Sequence, residues 1–194
     1  MKNGQTALTS ENTVQQALAK GTCPICALVR AYQNEAIERL NSSGMKSVCN
    51  YHAWSIAAWS PGAGVINVFL QMLEHPLGSE GDVSDVWLSC DVCALLREHE
   101  RTRLEEFARE LQRKNFREWV ERYGTVCRIH ARPLMAMLPE SEAAMIASVI
   151  ARNTDELKES LEAFLLSLSE GKHGGGSILG KAAEFLVAQR GLTR

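Results

Sequence analysis

The stretch Cys23-Pro24-Ile25-Cys26-Ala27-Leu28-Val29-Arg30 returns further along the chain as Cys90-Asp91-Val92-Cys93-Ala94-Leu95-Leu96-Arg97. A second pattern is repeated in the same order, since Val48-Cys49-Asn50-Tyr51-His52-Ala53 corresponds to Val126-Cys127-Arg128-Ile129-His130-Ala131. Each copy therefore carries a Cys-x-x-Cys that is followed by a Cys-x-x-His. The chain has 6 cysteines, and the two copies use all of them.

Each copy offers three thiols and one imidazole, the donor set that fills a tetrahedral zinc site. We therefore predict two Zn²⁺ sites of the Cys3His type, one within each copy. The predicted ligands are Cys23, Cys26, Cys49 and His52 in the first copy, and Cys90, Cys93, Cys127 and His130 in the second. The sequence singles out no catalytic residue and no residue for an organic cofactor.

Two other uses of these cysteines stay open. A Cys3His set can also hold a [4Fe-4S] cluster, which would give the protein a role in electron transfer or redox sensing. A Cys-x-x-Cys at the start of a helix is also typical of redox dithiols, because the helix dipole lowers a thiol pKa. The second copy argues against a dithiol, because Asp91 takes the place of Pro24.

Apolar residues recur at the helical period after each Cys pair, and no stretch alternates as a strand does. In the first copy this period runs through Val29, Ala36 and Ile37 and stops at Asn41-Ser42-Ser43-Gly44. The segment 48–59 is apolar on nearly all sides, which predicts a central helix. We therefore predict an all-α fold, with the charged run at 97–110 forming a solvated helix face.

The repeats predict a single domain at 1–194 that forms a helical bundle. Pseudo-repeat 1 covers about 20–76, pseudo-repeat 2 covers about 86–138, and C-terminal helices follow at about 140–190. We expect each repeat to be an antiparallel helical hairpin whose open end is closed by its metal. Separate C-terminal helices are expected at 141–152, 155–169 and 178–189, and a loop is expected at 77–85.

The two copies differ in the length of chain between their motifs. Cys26 and Cys49 enclose 22 residues, whereas Cys93 and Cys127 enclose 33. The difference of 11 is close to three helical turns. An insertion of this length would lengthen a hairpin and keep its faces in register.

Composition narrows the function classes. Hydrophobic residues make up 45% of the chain and charged residues 23%, which are ordinary values for a folded protein. The net charge of −2 provides no excess of cations for nucleic acid. The sequence shows neither a signal peptide nor a run of about 18 apolar residues, so we expect no membrane association and a cytoplasmic location. In that reducing compartment, cysteines are expected to be ligands.

The motifs at 23–28 and 48–54 resemble those of a group of uncharacterised, mostly helical prokaryotic proteins with duplicated Cys-Pro-x-Cys…Cys-x-x-His motifs. The resemblance covers roughly residues 20 to 135. It implies a helical metal-binding fold and brings no reaction with it. The chain departs from this pattern at Asp91, where the turn between the cysteines loses its proline.

These patterns favour a non-enzymatic role, because both donor sets look complete and leave no open metal position. We expect an interaction or scaffold module with two structural zinc sites that binds an unknown protein partner. The sequence does not indicate the oligomeric state.

Overall fold

The computed structural model describes residues 14, 16–43, 48–59, 66, 69–70, 90–171 and 176–188. All regular secondary structure in these residues is helical, and the predicted all-α fold is confirmed. The longer helices are α1 Pro24–Ser43, α2 Asn50–Trp59, α3 Asp91–Glu110, α4 Lys114–Tyr123, α5 Arg128–Met137, α6 Glu140–Ser169 and α7 Gly176–Val187. None of the described helices combines the length and the apolar character needed to cross a bilayer.

The chain forms two compact units. One unit, called here the terminal unit, consists of Met1–Leu28 and Thr102–Arg194; the other, called the middle unit, consists of Val29–Arg101. These bounds do not follow the two sequence repeats, because the division falls inside α1 and inside α3. The loop expected at 77–85 lies outside the described residues.

The middle unit has a core made by one face of α1 and residues from α2 and α3. Val29, Gln33, Ala36 and Ile37 are buried, which is the i, i+4, i+7, i+8 spacing of one helix face. From α2 and α3 the buried residues are His52, Ile56, Val92 and Leu96.

Helix α2 is not the central helix that its composition predicted. Only one of its faces is buried, the face that carries His52 and Ile56. Trp54 is 73% exposed, and Ala57 and Ala58 are exposed as well. The helix has only 10 residues, so its buried face consists of two side chains, those of His52 and Ile56.

The terminal unit is built around α6. Helices α4, α5 and α7 all pack against α6, and α5 also packs against α7. Its fully or nearly fully buried apolar side chains include Leu111, Val120, Val126, Leu134, Ile146 and Val149. The ring of Phe107 meets that of Phe116 edge to face at 5.3 Å, which joins the end of α3 to α4.

Helix α6 is a single element of 30 residues, where two helices had been expected. The expected break fell at Asn153 and Thr154, residue types that often cap helices. Here the Thr154 hydroxyl donates to the Ile150 carbonyl of its own helix at 2.7 Å. The Asn153 amide instead donates to the Gly124 carbonyl at 3.3 Å. With both side chains engaged in this way, the backbone continues as a helix.

The insertion in the second copy adds a helix and does not lengthen an arm. Helices α1 and α3 each have 20 residues. The extra chain forms the turn at 111–113 and the 10-residue helix α4, which then leads to Cys127. The expected in-register extension of a hairpin is therefore wrong, because Leu111–Arg113 leaves the helical path after α3.

Candidate metal centres

All four cysteine motifs have the same local structure. Cys23, Cys49, Cys90 and Cys127 each lie immediately before a helix, and the second donor of each motif lies three residues further on, in the first turn. In every motif the cysteine carbonyl accepts the N–H of an alanine four residues later. These bonds join Ala27 to Cys23 at 3.1 Å, Ala53 to Cys49 at 2.9 Å, Ala94 to Cys90 at 3.0 Å and Ala131 to Cys127 at 2.9 Å.

This local structure explains the repeated spacing. A donor at the residue before a helix and a donor in its first turn both point out of the same helix end. The unpaired N–H groups and the positive end of the dipole favour thiolates there. The alanine was a signal that the sequence offered, because Cys-x-x-[Cys or His]-Ala occurs four times. The donors were predicted from the cysteines and histidines alone.

The first cluster lies in the terminal unit and consists of Cys23, Cys26, Cys127 and His130. Its His130 Nδ1 lies 3.5 Å from Cys23 Sγ, 3.4 Å from Cys26 Sγ and 3.1 Å from Cys127 Sγ. The sulfurs of Cys26 and Cys127 are 3.8 Å apart. All four residues are buried. The helix starts of α1 and α5 supply them.

The second cluster lies in the middle unit and consists of Cys49, His52, Cys90 and Cys93. Its His52 Nδ1 lies 3.4 Å from Cys49 Sγ, 3.5 Å from Cys90 Sγ and 3.3 Å from Cys93 Sγ. The sulfurs of Cys49 and Cys93 are 3.8 Å apart. Three of the residues are buried and Cys93 is partly exposed. The helix starts of α2 and α3 supply them.

In each cluster the four donor atoms lie within 4.8 Å of one another, so a single metal ion could contact all of them. The eight residues that the sequence proposed are thus brought together as two Cys3His sets. The predicted grouping is wrong, however, because each cluster combines the Cys-x-x-Cys of one copy with the Cys-x-x-His of the other.

Helix geometry explains the crossed grouping. Both motifs of a copy stand at helix starts, and α1 separates those of the first copy. A helix of 20 residues is about 30 Å long. The chain has five residues between Ser43 and Cys49, which span at most about 20 Å at roughly 3.5 Å per residue. Such a connection is too short to bring Cys49 back to Cys23, so no metal can close a hairpin within this copy.

Hydrogen bonds among the sulfurs shift the thiol pKa values in the first cluster. Burial raises the pKa of Cys23, but bonds from Cys127, Cys26 and His130 outweigh this effect and hold that pKa well below its ordinary value. The same bonding raises the pKa of Cys26, because Cys127 and Cys23 accept its proton and burial adds to the effect. A divalent cation would replace such shared protons and stabilise three thiolates together.

The second cluster has the same division. The thiol of Cys93 donates to Cys90 and lowers the pKa of Cys90 to about 3; burial opposes this shift, and His52 adds to it. The bond to Cys90 and burial raise the pKa of Cys93. The backbone N–H of Cys93 also donates to Cys90 Sγ at 3.4 Å. This N–H is a donor that the sequence did not indicate.

The residues that follow the cysteines have different roles in the structure. The N–H groups of Ala27 and Ala94 donate to cysteine carbonyls and not to sulfurs. Ile25 and Val92, which stand between the two cysteines of each Cys-x-x-Cys in the sequence, have completely buried side chains.

An arginine on α6 positions the segment that leads into Cys127. Arg152 donates to the Glu121 carbonyl at 2.5 Å and to the Gly124 carbonyl at 3.2 Å, and its Nε lies 3.9 Å from Glu156 Oε1. Arg152 lines a cleft of about 540 Å³ in the terminal unit. These contacts engage all three guanidinium nitrogens, so we infer that Arg152 stabilises the end of α4.

The other histidines do not join either cluster within the described part of the chain. The His99 ring stacks on Tyr32 with centroids 3.9 Å apart and planes at 7°. His75 and His173 lie outside the described residues.

Comparison with protein-family models, with curated proteins and with solved structures finds no match to this chain. The resemblance to duplicated-motif proteins therefore rests on the motif residues alone.

Proposed function

We propose that the chain is a zinc protein in which each cluster holds one structural Zn²⁺. The donor-to-donor distances carry this proposal. With Zn–S bonds of about 2.3 Å and Zn–N bonds of about 2.0 to 2.1 Å, a tetrahedron has edges of about 3.8 Å between sulfurs and about 3.5 Å between sulfur and nitrogen. Each cluster has one pair of sulfurs at 3.8 Å, its S···N distances are 3.1 to 3.5 Å, and its other sulfurs lie within 4.8 Å of one another.

These distances also weigh against the iron–sulfur alternative. Each ligand of a four-iron cluster binds a different iron, so the irons and sulfides lie between the protein donors. The sulfurs of Cys26 and Cys127 are in van der Waals contact at 3.8 Å. They leave no room between them for the irons and sulfides of a four-iron cluster. A single ion fits without rearrangement.

A structural role follows from the completeness of the donor sets. A catalytic zinc keeps one position for water or substrate, and a structural zinc uses four protein ligands. Each cluster supplies four donors, and each cluster joins the starts of two helices inside one unit. We therefore propose that the metals hold each unit together and that the protein is not an enzyme.

Exposed apolar side chains support a role as an interaction module. Trp54 on α2 is 73% exposed, and Leu165 and Leu166 near the end of α6 are 68% and 66% exposed. A single exposed residue such as Trp54 is common on protein surfaces, whereas adjacent exposed residues such as Leu165 and Leu166 form the kind of apolar patch that a partner can cover. A cytoplasmic location remains part of the proposal, because the six cysteines are free thiols of the kind that a reducing compartment preserves.

Metal analysis tests the proposal. We expect protein purified under anaerobic conditions to be colourless and to contain two zinc atoms per chain. Iron with acid-labile sulfide and a brown colour would contradict it, and so would the absence of any metal. The control is the Cys26→Ala/Cys93→Ala double variant, which removes one donor from each cluster and should not retain the stoichiometric metal.

A further inference from the structure

The two clusters differ in their access to solvent. In the terminal-unit cluster all four donors are buried, with Cys26 and Cys127 each 1% exposed. In the middle-unit cluster Cys93 alone is partly exposed. Cys26 and Cys93 are equivalent residues of the two sequence repeats, so the difference comes from their surroundings and not from the motif. Of the six thiols, Cys93 is the one that a reagent in solution meets first.

The imidazole of the middle-unit cluster also lacks support. His52 is 1% exposed, and its Nε2 has no hydrogen-bond partner among the described residues. A metal-ligating histidine usually donates its second ring N–H to a neighbouring group, which fixes the ring and strengthens its binding to the metal. Without that bond, His52 holds its position through packing and through the cluster itself.

We propose that Cys93 is an oxidation site at which a peroxide releases the metal of the middle unit, while the terminal-unit metal is retained. This inference rests on the proposed zinc function and adds a regulatory reaction to one of the two clusters. The reagent class is hydrogen peroxide or an organic hydroperoxide, which is small enough to reach a partly exposed sulfur.

The reaction proceeds in two balanced steps. The Cys93 thiolate attacks the terminal peroxide oxygen, the O–O bond breaks, and hydroxide leaves from hydrogen peroxide or alkoxide from an organic hydroperoxide, so that Cys93 becomes a sulfenic acid. A second thiolate of the cluster then attacks the Cys93 sulfur, forms an S–S bond and expels hydroxide. Cys49 is placed for this step, because its Sγ lies 3.8 Å from Cys93 Sγ. Two thiolates have lost one electron each, and the peroxide has gained two.

Loss of two thiolates leaves Cys90 and His52 as the remaining donors. Two protein donors do not close the shell of Zn²⁺, so the ion leaves for water or for another ligand. In the terminal unit the same chemistry first requires local opening, because the sulfurs there are buried. The middle-unit cluster should therefore lose its metal faster by about tenfold or more, the factor that an opening free energy of about 1.4 kcal/mol supplies.

The experiment uses the zinc-loaded full-length chain and hydrogen peroxide. A metallochromic dye follows zinc release, and peptide mass spectrometry identifies the oxidised cysteines. We expect one zinc to leave in a fast phase and the second in a slow one. During the fast phase, the disulfide should join Cys93 to Cys49. Equal release rates, or oxidation that starts at Cys23, Cys26 or Cys127, would overturn the proposal.

A pair of matched variants adds a second test. Cys93→His keeps a fourth donor and removes the exposed sulfur, and Cys26→His makes the same change at the equivalent buried position. Among variants that keep two zinc atoms, Cys93→His should lose the fast phase and Cys26→His should retain it. If Cys93→His binds less zinc, the mass spectrometry on the unmodified chain decides alone.

Failure of this inference differs from failure of the proposed function. A chain that binds no zinc defeats the proposed function before any peroxide is added. A chain that holds two zinc atoms and releases both at one rate keeps its structural zinc function and loses the oxidation site.

Discussion

The sulfurs of Cys26 and Cys127 lie 3.8 Å apart although their positions in the sequence differ by 101. Each comes from the start of a different helix, α1 or α5, and each belongs to a different sequence repeat. The duplication therefore does not give two independent metal-binding segments. Each cluster is completed only when distant parts of the chain fold together.

Pairs of cysteine substitutions test this crossed grouping. Cys26→Ala/Cys127→Ala removes two donors from one cluster, so we expect this variant to keep one zinc atom per chain. Cys26→Ala/Cys49→Ala removes one donor from each cluster, so we expect it to lose both. Metal analysis of the purified variants measures the difference. If the two results were exchanged, each repeat would bind its own metal, and the grouping described here would be wrong.

Removal of the metals should unfold helical structure. Structural zinc sites contribute apparent binding free energies of about 10 to 16 kcal/mol in small domains, while whole domains are stable by about 5 to 15 kcal/mol. We expect a strong chelator to lower the melting temperature and the helical circular dichroism, and added zinc to restore both. The same chelator preloaded with zinc is the control. An unchanged melting curve after complete metal removal would argue against a structural role.

Acid should weaken the contact between α4 and α6. Arg117 Nη1 lies 3.0 Å from Oε1 of the largely buried Glu142. A hydrogen bond from Ser141 is the largest cause of the lowered pKa of Glu142, followed by its own backbone N–H, with Arg117 adding a smaller part and burial opposing. Because the folded pKa lies below the ordinary value of 4.5, the carboxylate stabilises the fold above that value. This contribution is lost as the pH falls through the folded pKa.

Melting temperature against pH measures this effect. Glu142→Gln should be less stable than the unmodified chain at neutral pH, and the two curves should converge in acid. Glu162→Gln is the matched control, because Glu162 pairs with Lys158 at the surface at 3.9 Å and is 64% exposed. A constant difference between Glu142→Gln and the unmodified chain down to the lowest pH would contradict the assignment.

Two glycine substitutions should have opposite effects. At Gly124 an added Cβ would stand 2.3 Å from the Val120 carbonyl oxygen, so Gly124→Ala must displace the end of α4 and should cost about 1 to 3 kcal/mol. Gly180 lies within α7 with open space around it. Gly180→Ala should therefore stabilise the protein by about 0.5 to 1 kcal/mol, since alanine loses less backbone entropy in a helix. Denaturant unfolding measures both changes.

Substitution of Gly124 also tests whether the backbone before Cys127 positions the metal site. Its carbonyl accepts bonds from Arg152 and Asn153, and Cys127 follows three residues later. A Gly124→Ala variant should therefore hold the terminal-unit metal less tightly than a Gly180→Ala variant, as measured by competition with a chelator. Equal zinc affinity in the two variants would show that the segment before Cys127 does not position the site.

Local sequence patterns were enough to predict the eight donors and the helical class. Thiol and imidazole donors three residues apart predict a metal-binding helix start. Apolar residues at the helical spacing, such as Val29 and Ile37, predict a helix. Both signals are local, because each depends on residues within a few positions of one another. Local patterns did not reveal that α6 continues past Thr154, since a side chain can either cap a helix or bond within it.

Which donors meet depends on how the helices pack in the folded chain. Each Cys-x-x-Cys motif and each Cys-x-x-His motif supplies half of a site. Either Cys-x-x-Cys could combine with either Cys-x-x-His without any change in the spacing within the motifs. The grouping of the motifs depends on the length of α1 and on the length of the connection between α1 and Cys49. Because α1 is a rigid helix, it keeps the motifs at its two ends apart. The partly exposed position of Cys93 and the buried position of Cys26 depend in the same way on the packing around two equivalent motifs.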